Sequence, residues 1–376
     1  MDIIGVIAEY NPFHTGHKYH IDKIKELYPD SVIIAVISSS FTQRGDISIM
    51  NKWDKTKIAL LNGIDLVVEL PFVFSSQSAD VFARGAIKIL HELKVEKIVF
   101  GSESNDLNLL FSIASIQVNN PKFDLKVKHY LDAGFNYPTS LAKAISDFSL
   151  KKIDSPNDLL GISYIKEIIK NNYNMEAITI KRTNNYHGNN NGEILSASEI
   201  RNKLNNKSDV DRYLTYNSDI LYKNISSREF LFLKYKILAD INILKDYQTV
   251  DEGIEGRIKK LIDSCDNMND LVTNIKNKRY TYNRIRRMLT HILTSFTKEE
   301  ALYDANYIRI LGFNSIGKKY LNNIKKELKV PLITNYKSNI SNSLDLEYRI
   351  TKIYSLIVND TFLIKRELLG PIKIDK

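Results

Sequence analysis

Hydrophobic and polar positions follow two rhythms along this chain. Residues 3–10, "IIGVIAEY", form an almost unbroken apolar run, as expected of a strand covered on both faces. Residues 17–28 then place Ile21, Ile24, Leu27 and Tyr28 at helical spacing, until Pro29-Asp30 stops them. A second apolar strand, "SVIIAVIS", occupies 31–38. Residues 55–72 read as a helix ending at Asn62-Gly63 followed by a third strand, and residues 83–104 as a further helix and the strand "KIVFGS". The strand "EAITIKR" at 176–182 closes the series. Strands separated by helices of this length predict βαβ units, a parallel sheet and right-handed crossovers.

From about residue 207 the texture changes. Strand-like runs become rare, and amphipathic helical patterns such as "REFLFLKYKILADI" and "YNRIRRMLTHILTSF" dominate. The pattern therefore predicts an α/β protein in two parts: a Rossmann-like parallel-sheet domain over 1–206 and an α-helical domain over 207–376, joined near "NNKSD" at 205–209. The segment "TNNYHGNNNG" at 183–192 reads as a polar loop.

Composition narrows the class. A chain of 376 residues can bury two cores, and 43% hydrophobic with 26% charged residues describes a folded, water-soluble protein. No run reaches the roughly 18–20 apolar residues that span a membrane, and no signal-peptide pattern opens the chain. The single cysteine, Cys265, excludes an internal disulfide and a multi-cysteine metal site, and fits a reducing cytoplasm. Charge is divided unevenly. Residues 1–205 carry 23 Lys and Arg against 23 Asp and Glu, so the whole +9 falls on 206–376, with 30 against 21. Such asymmetry points to a neutral half handling a small ligand and a basic half meeting a polyanion.

Three of the seven histidines, His14, His17 and His20, lie in or just after "AEYNPFHTGH" at 8–17. Ligands of parallel sheets bind at the carboxyl ends of strands, where the first strand delivers this stretch. Pro12 fixes its φ, and a helix starting near Thr15-Gly16 would turn backbone N–H groups toward the loop mouth. His14 and His17, three apart, can address one group, which suits a phosphate acquiring negative charge. A packed βα turn is the plain alternative. A metal site is disfavoured: a step of three residues turns about 300° around a helix, so a third ligand swings away, and the H-E-x-x-H spacing is absent. No metal ligands are expected.

"HTGH" after a first strand resembles the HIGH signature of the nucleotidylyltransferase superfamily, and "ILSASEIR" at 194–201 resembles its second phosphate motif, with Ser196, Ser198 and Arg201 at a helix start. The longer words "FTQRGDISIMNKWDKTKIALLNGIDLVVELPF", "QSADVFARGA", "SPNDLLGISYIK" and "KRYTYNRIRRMLTHIL" are similar to the bacterial tRNA(Met) cytidine acetate ligases, from residue 1 to about 295.

That resemblance implies a two-step enzyme. Acetate attacks the α-phosphate of ATP to give acetyl-adenylate and pyrophosphate, and the acetyl group passes to N4 of the wobble cytidine of elongator tRNA(Met). It implies His14 and His17 as catalytic residues and a first loop on ATP comprising Ile7, Ala8, Glu9, Tyr10, Asn11, Pro12, Phe13, His14, Thr15, Gly16, His17, Lys18, Tyr19 and His20. Further ATP contacts are implied at Gly101, Asn157, Arg182, Ser198 and Arg201, with Gln43 and Arg44 as weaker candidates. Asn157 also reads as a helix cap, and Gly101 as a place where adenine or ribose lies against backbone. Around His187 the chain reads "NYHGNN" where the family is closer to "GYHD". ATP chemistry implies Mg²⁺.

For tRNA, "KNKRYTYNRIRR" at 276–287 offers six basic residues and two tyrosines, with no acid between Asp270 and Glu299. Lys278, Arg279, Arg284 and Arg287 are the candidate contacts, on a basic helix face expected to point outward. No membrane and no obligate protein partner are expected. Two other classes fit part of the sequence: a small-molecule adenylyltransferase of the same superfamily, and a non-catalytic nucleotide-sensing RNA-binding protein.

Overall fold

The computed structural model describes residues 1–148, 153, 155–182 and 194–375. The departure around His187 lies outside them. Among the described residues eight strands form one sheet: β1 (Ile3–Ala8), β2 (Val32–Ser38), β3 (Leu66–Leu70), β4 (Lys97–Ser102), β5 (Glu176–Lys181), β6 (Ile308–Asn314), β7 (Leu332–Ile333) and β8 (Ile372–Ile374). Their order is β5-β4-β1-β2-β3-β6-β7, with β8 beside β6, and every pairing is parallel except β3 with β6. All seven residues of β2 are buried, which is why its sequence is continuously apolar rather than alternating.

The five expected strands are present, with tighter limits. The first apolar run stops at Ala8, which leaves Glu9 and Tyr10 in the turn. From β1 the chain builds outward through β2 and β3, then returns to lay β4 on the other side of β1. The strand order reverses at β1, so a crevice opens at the carboxyl ends of β1 and β4.

The sheet does not end where the helical texture begins. β6, β7 and β8 extend its β3 edge, so residues after 207 complete a sheet begun at residue 3. Packing reinforces the join. Lys52 pairs with Glu69 on β3 at 2.6 Å and with Glu367 at 2.5 Å, all three side chains buried. Glu347, on the helix Asn342–Val358, accepts from Ser39 Oγ at 2.6 Å and from the Phe72 N–H at 2.7 Å. Tyr354 on the same helix donates to the Ser48 carbonyl at 2.8 Å. Among the described residues no helix is long and apolar enough to cross a membrane.

Candidate active site

The helix Thr15–Leu27 begins with a capping box built from two histidines. His14 Nδ1 accepts from the Gly16 N–H at 3.0 Å, and His17 Nδ1 accepts from the His14 N–H at 3.2 Å. A Ser or Thr with a Glu normally plays these parts. With both Nδ1 atoms accepting, each neutral ring carries its hydrogen on Nε2, leaving two Nε2–H donors. The rings lie 3.8 Å apart between centroids, and Tyr10 and Phe13 pack under His17 at 4.9 and 5.5 Å. Burial lowers the His14 imidazole to about 4, with the Arg182 charge adding to the shift; burial also lowers His17 well below the usual range, with the His14 and Arg182 charges adding to it.

The donors at this helix start are less free than the sequence implied. The Gly16 N–H is taken by the His14 ring, and the His17 N–H donates to the His14 carbonyl at 2.8 Å. Gly16 is glycine because a Cβ there would lie 2.8 Å from His14 Cε1. The close approach there is by the capping ring.

These histidines open into a cavity of about 1370 Å³. Ile7, Ala8, Glu9, Tyr10, Asn11, His14, Gly16, His17, Tyr19 and His20 line it, with Gly101, Asn157, Arg182, Ser198 and Arg201. Gln43, Arg44, Arg279, Arg284 and Arg287 line it too. Pro12, Phe13, Thr15, Lys18 and Lys278 do not. Lys18 instead pairs with Asp22 one turn along its helix. His20 is held neutral by burial, at about 4, and its Nε2 is buried with no hydrogen-bond partner among the described residues.

The helix Ala197–Asn205 is capped by Ser196, with Glu199 completing the box, so Ser198 lies inside the first turn. Arg201 donates to the Asn11 carbonyl at 2.7 Å and to Ser198 Oγ at 3.3 Å, which fixes it beside the first loop. It also meets Asp46 at 3.5 Å; Asp46 meets Arg286 at 3.4 Å, and Arg286 meets Glu229 at 3.1 Å. One carboxylate from the loop after β2 thus joins the downstream phosphate motif to the basic helix Tyr282–Leu293.

That helix corrects the expected outward basic face. Arg286 and His291 are buried, the latter against the Ser76 and Gln248 carbonyls at 2.7 and 3.0 Å. Gly45, at φ 81°, presses so closely on this helix that a Cβ would meet the Arg287 nitrogen at 2.5 Å, and Thr290 donates to the Gly45 carbonyl at 2.7 Å. Arg284 and Arg287 therefore face the cavity that His14 faces, because their helix is wedged behind the loop after β2. Arg284 lies over the Tyr280 ring at 4.2 Å; Tyr280 is buried, so of the two tyrosines only Tyr282 stays exposed.

At the other end, Asn157 is not the cap of the helix Pro156–Lys170; Ser155 holds that position. Asn157 Nδ2 donates to Glu103 Oε1, the Asp158 N–H donates to Glu103 Oε2 at 3.2 Å, and Arg182 Nε lies 3.9 Å from Glu103 Oε1. Asp158 answers by accepting from the Glu103 and Ser104 N–H groups at 3.1 and 3.0 Å. The aliphatic part of Arg182 lies across Gly101, where a ligand was expected. Glu103, Asp158 and Asp46 escaped sequence reasoning. The one available signal was the position of Glu103 directly after a strand's carboxyl end.

A sheet with its switch point at β1, a histidine-capped helix at that strand's end and an arginine from a second capped helix define a nucleotide-binding α/β protein of the nucleotidyltransferase type. The model of the HIGH Nucleotidyl Transferase family matches residues 1–367. A tRNA(Met) cytidine acetate ligase of Caldicellulosiruptor saccharolyticus is 40% identical, over 95% of this chain and 94% of that protein. That of Oceanobacillus iheyensis is 36% identical over 100% of both. The crystal structure of Thermotoga maritima TmcAL bound with alpha-thio ATP superposes with a TM-score of 0.88 at 29% identity, over 100% of both chains. The chain belongs to the HIGH nucleotidyl transferases and, within them, to the tRNA(Met) cytidine acetate ligase family.

Proposed function

We propose that this protein acts in the cytoplasm as an ATP-dependent ligase that activates acetate as acetyl-adenylate and acetylates N4 of the wobble cytidine of elongator tRNA(Met). The observation that carries the reading is the shared cavity: His14 and His17, the Arg201 corner and the Arg284–Arg287 wall line one space. Its 1370 Å³ exceeds the ~300–1,000 Å³ of ordinary small-molecule sites, which leaves room for a nucleoside beside ATP.

Acetate is a weak nucleophile for phosphorus, so the site must hold its carboxylate in line and stabilise charge on the α-phosphate. His14 and His17 donate to that phosphate as neutral imidazoles. Ser198 and Arg201 hold the departing pyrophosphate, and Asn157 and Arg182 the nucleoside end. Mg²⁺ would travel with the ATP phosphates and keep most of its ligands from phosphate and water. That suits a site where no three His, Cys, Asp or Glu among the described residues could cage a metal ion. Arg279, Arg284 and Arg287 take RNA phosphates and position the cytidine.

The test is labelled acetate with ATP, with and without tRNA(Met). Label in N4-acetylcytidine is the expected outcome. Adenylation of a small acceptor alone would mark a small-molecule adenylyltransferase, and absence of ATP turnover a nucleotide-sensing RNA binder.

A further inference from the structure

Among the described residues four carboxylates line the cavity: Glu9, Asp46, Asp80 and Glu199. Three are committed. Asp46 pairs with Arg201 and Arg286, Asp80 pairs with Lys166 at 2.9 Å, and Glu199 completes the Ser196 cap at 2.6–2.7 Å. Glu9 stands apart. It sits just beyond the carboxyl end of β1, and one oxygen accepts the Gln43 N–H at 2.5 Å. No cation among the described residues comes within salt-bridge distance of it. Through Gln43, whose carbonyl accepts from Arg287 Nη1 at 3.4 Å, Glu9 adjoins the arginine wall; along its own loop it adjoins the histidine cap.

We infer that Glu9 takes the proton lost by the cytidine amine when the acetyl group is transferred to it. The inference rests on the two-step reading above and assigns a residue to its second step. The N4 lone pair is delocalised into the pyrimidine, so the amine is a poor nucleophile and becomes strongly acidic as it attacks. The new bond joins N4 to the acetyl carbonyl carbon. The bond from that carbon to the phosphate oxygen breaks, its electron pair leaves with AMP, and the N4 proton passes to the free Glu9 oxygen and then to water. A base must be ionised at working pH yet hold a proton briefly. The surroundings of Glu9 tune it that way. Burial raises its carboxyl above the usual range and the Asp46 charge adds to this, while the Gln43 N–H, Lys55 and Arg44 oppose. Among the other titratable groups around it, Tyr164 is neutral, its phenol raised by burial and by the Glu9 charge. Burial lowers His14 and His17 of the adjoining cap, and burial lowers Lys55 to about 7 against the pull of Glu9.

The experiment supplies synthetic acetyl-adenylate and tRNA(Met), bypassing ATP, and follows a single turnover across pH. Wild-type transfer should rise along one acidic limb to a plateau. Glu9→Gln should be about 10²–10⁴-fold slower at the plateau, with the limb gone. Glu9→Asp should keep the limb and recover part of the rate, which a general loss of folding would not produce. Transfer by Glu9→Gln at the wild-type rate, or with the limb intact, overturns the inference while leaving the two-step reading standing. Absence of transfer by the wild-type protein overturns both.

Discussion

Replacing Glu103 by Ala removes a group that touches both Asn157 and Arg182. Its carboxylate accepts from the Asn157 amide and the Asp158 N–H and lies 3.9 Å from Arg182. Charge-assisted hydrogen bonds contribute ~1.5–3 kcal/mol where water is excluded. The Glu103 side chain is 35% exposed, so about 1 kcal/mol for each residue it positions is the better figure. Freeing Asn157 and Arg182 together should weaken ATP binding by about 1–2 kcal/mol, or roughly 5–30-fold in Kd. The helix start itself should survive, because Asp158 still accepts from Ser102, Ser155 and the Ser104 N–H. Calorimetric titration with ATP, beside a thermal melt, separates the two effects. Glu103→Gln, which retains an acceptor for Asn157 but no charge for Arg182, should fall between. An unchanged ATP Kd, or a loss matched by a large fall in Tm, would refute the positioning argument.

Glu229→Leu should leave Arg286 buried with only Asp46, itself shared with Arg201, and cost about 3–5 kcal/mol in urea unfolding; a loss below ~1 kcal/mol would contradict the burial of that pair. Arg287→Ala, in the cavity wall, should weaken tRNA binding and slow acetyl transfer while sparing adenylate formation, whereas Lys278→Ala, outside the cavity, should weaken RNA binding alone; pyrophosphate exchange, filter binding and single-turnover transfer would measure the three. On acidification, His14, His20 and His291, each lowered to about 4 by burial, take up protons more readily unfolded than folded. Stability of the free protein should therefore be full above about pH 6.5 and fall as pH drops from there toward about 4, which melts across that window would record. Histidine NMR should report Nε2–H tautomers for His14 and His17 at pH 7.

The apolar runs made β1 to β4 legible, because strands largely buried on both faces write their position directly into composition; β5, a half-exposed edge strand, shows only as a short β-branched run. β6 was missed although "IRILGFN" carries the same signal: it sits in a helical context and joins the sheet antiparallel, 238 residues after β3 ends. The histidine cluster was legible as a site, but its cap was not, since no spacing distinguishes an imidazole that accepts from a backbone N–H from one that faces a ligand. The basic run at 276–287 misled for a related reason. Helical periodicity places Arg284, Arg287 and His291 on one face, but only the docking of Gly45 against that helix turns the face inward. Glu103 and Asp46 act across 54 and 155 residues of chain, a reach that local pattern does not record.

The grip of Glu347 and Tyr354 on the loop after β2 bears on when the site can exist at all. Ser39 and Ser48 flank the loop that carries Gln43 and Asp46, and both are tethered by a helix more than 300 residues later in the chain. During synthesis, the first four strands emerge long before their edge partner β6 and before this tether. A nascent chain at that stage holds the histidine cap with its adjoining loop still untethered. Contacts of such long sequence separation slow folding, so the newborn protein should pass through a prolonged interval in which nucleotide cannot be held. A fragment ending near residue 206 would stay in that state, its β3 edge open and without the arginine wall.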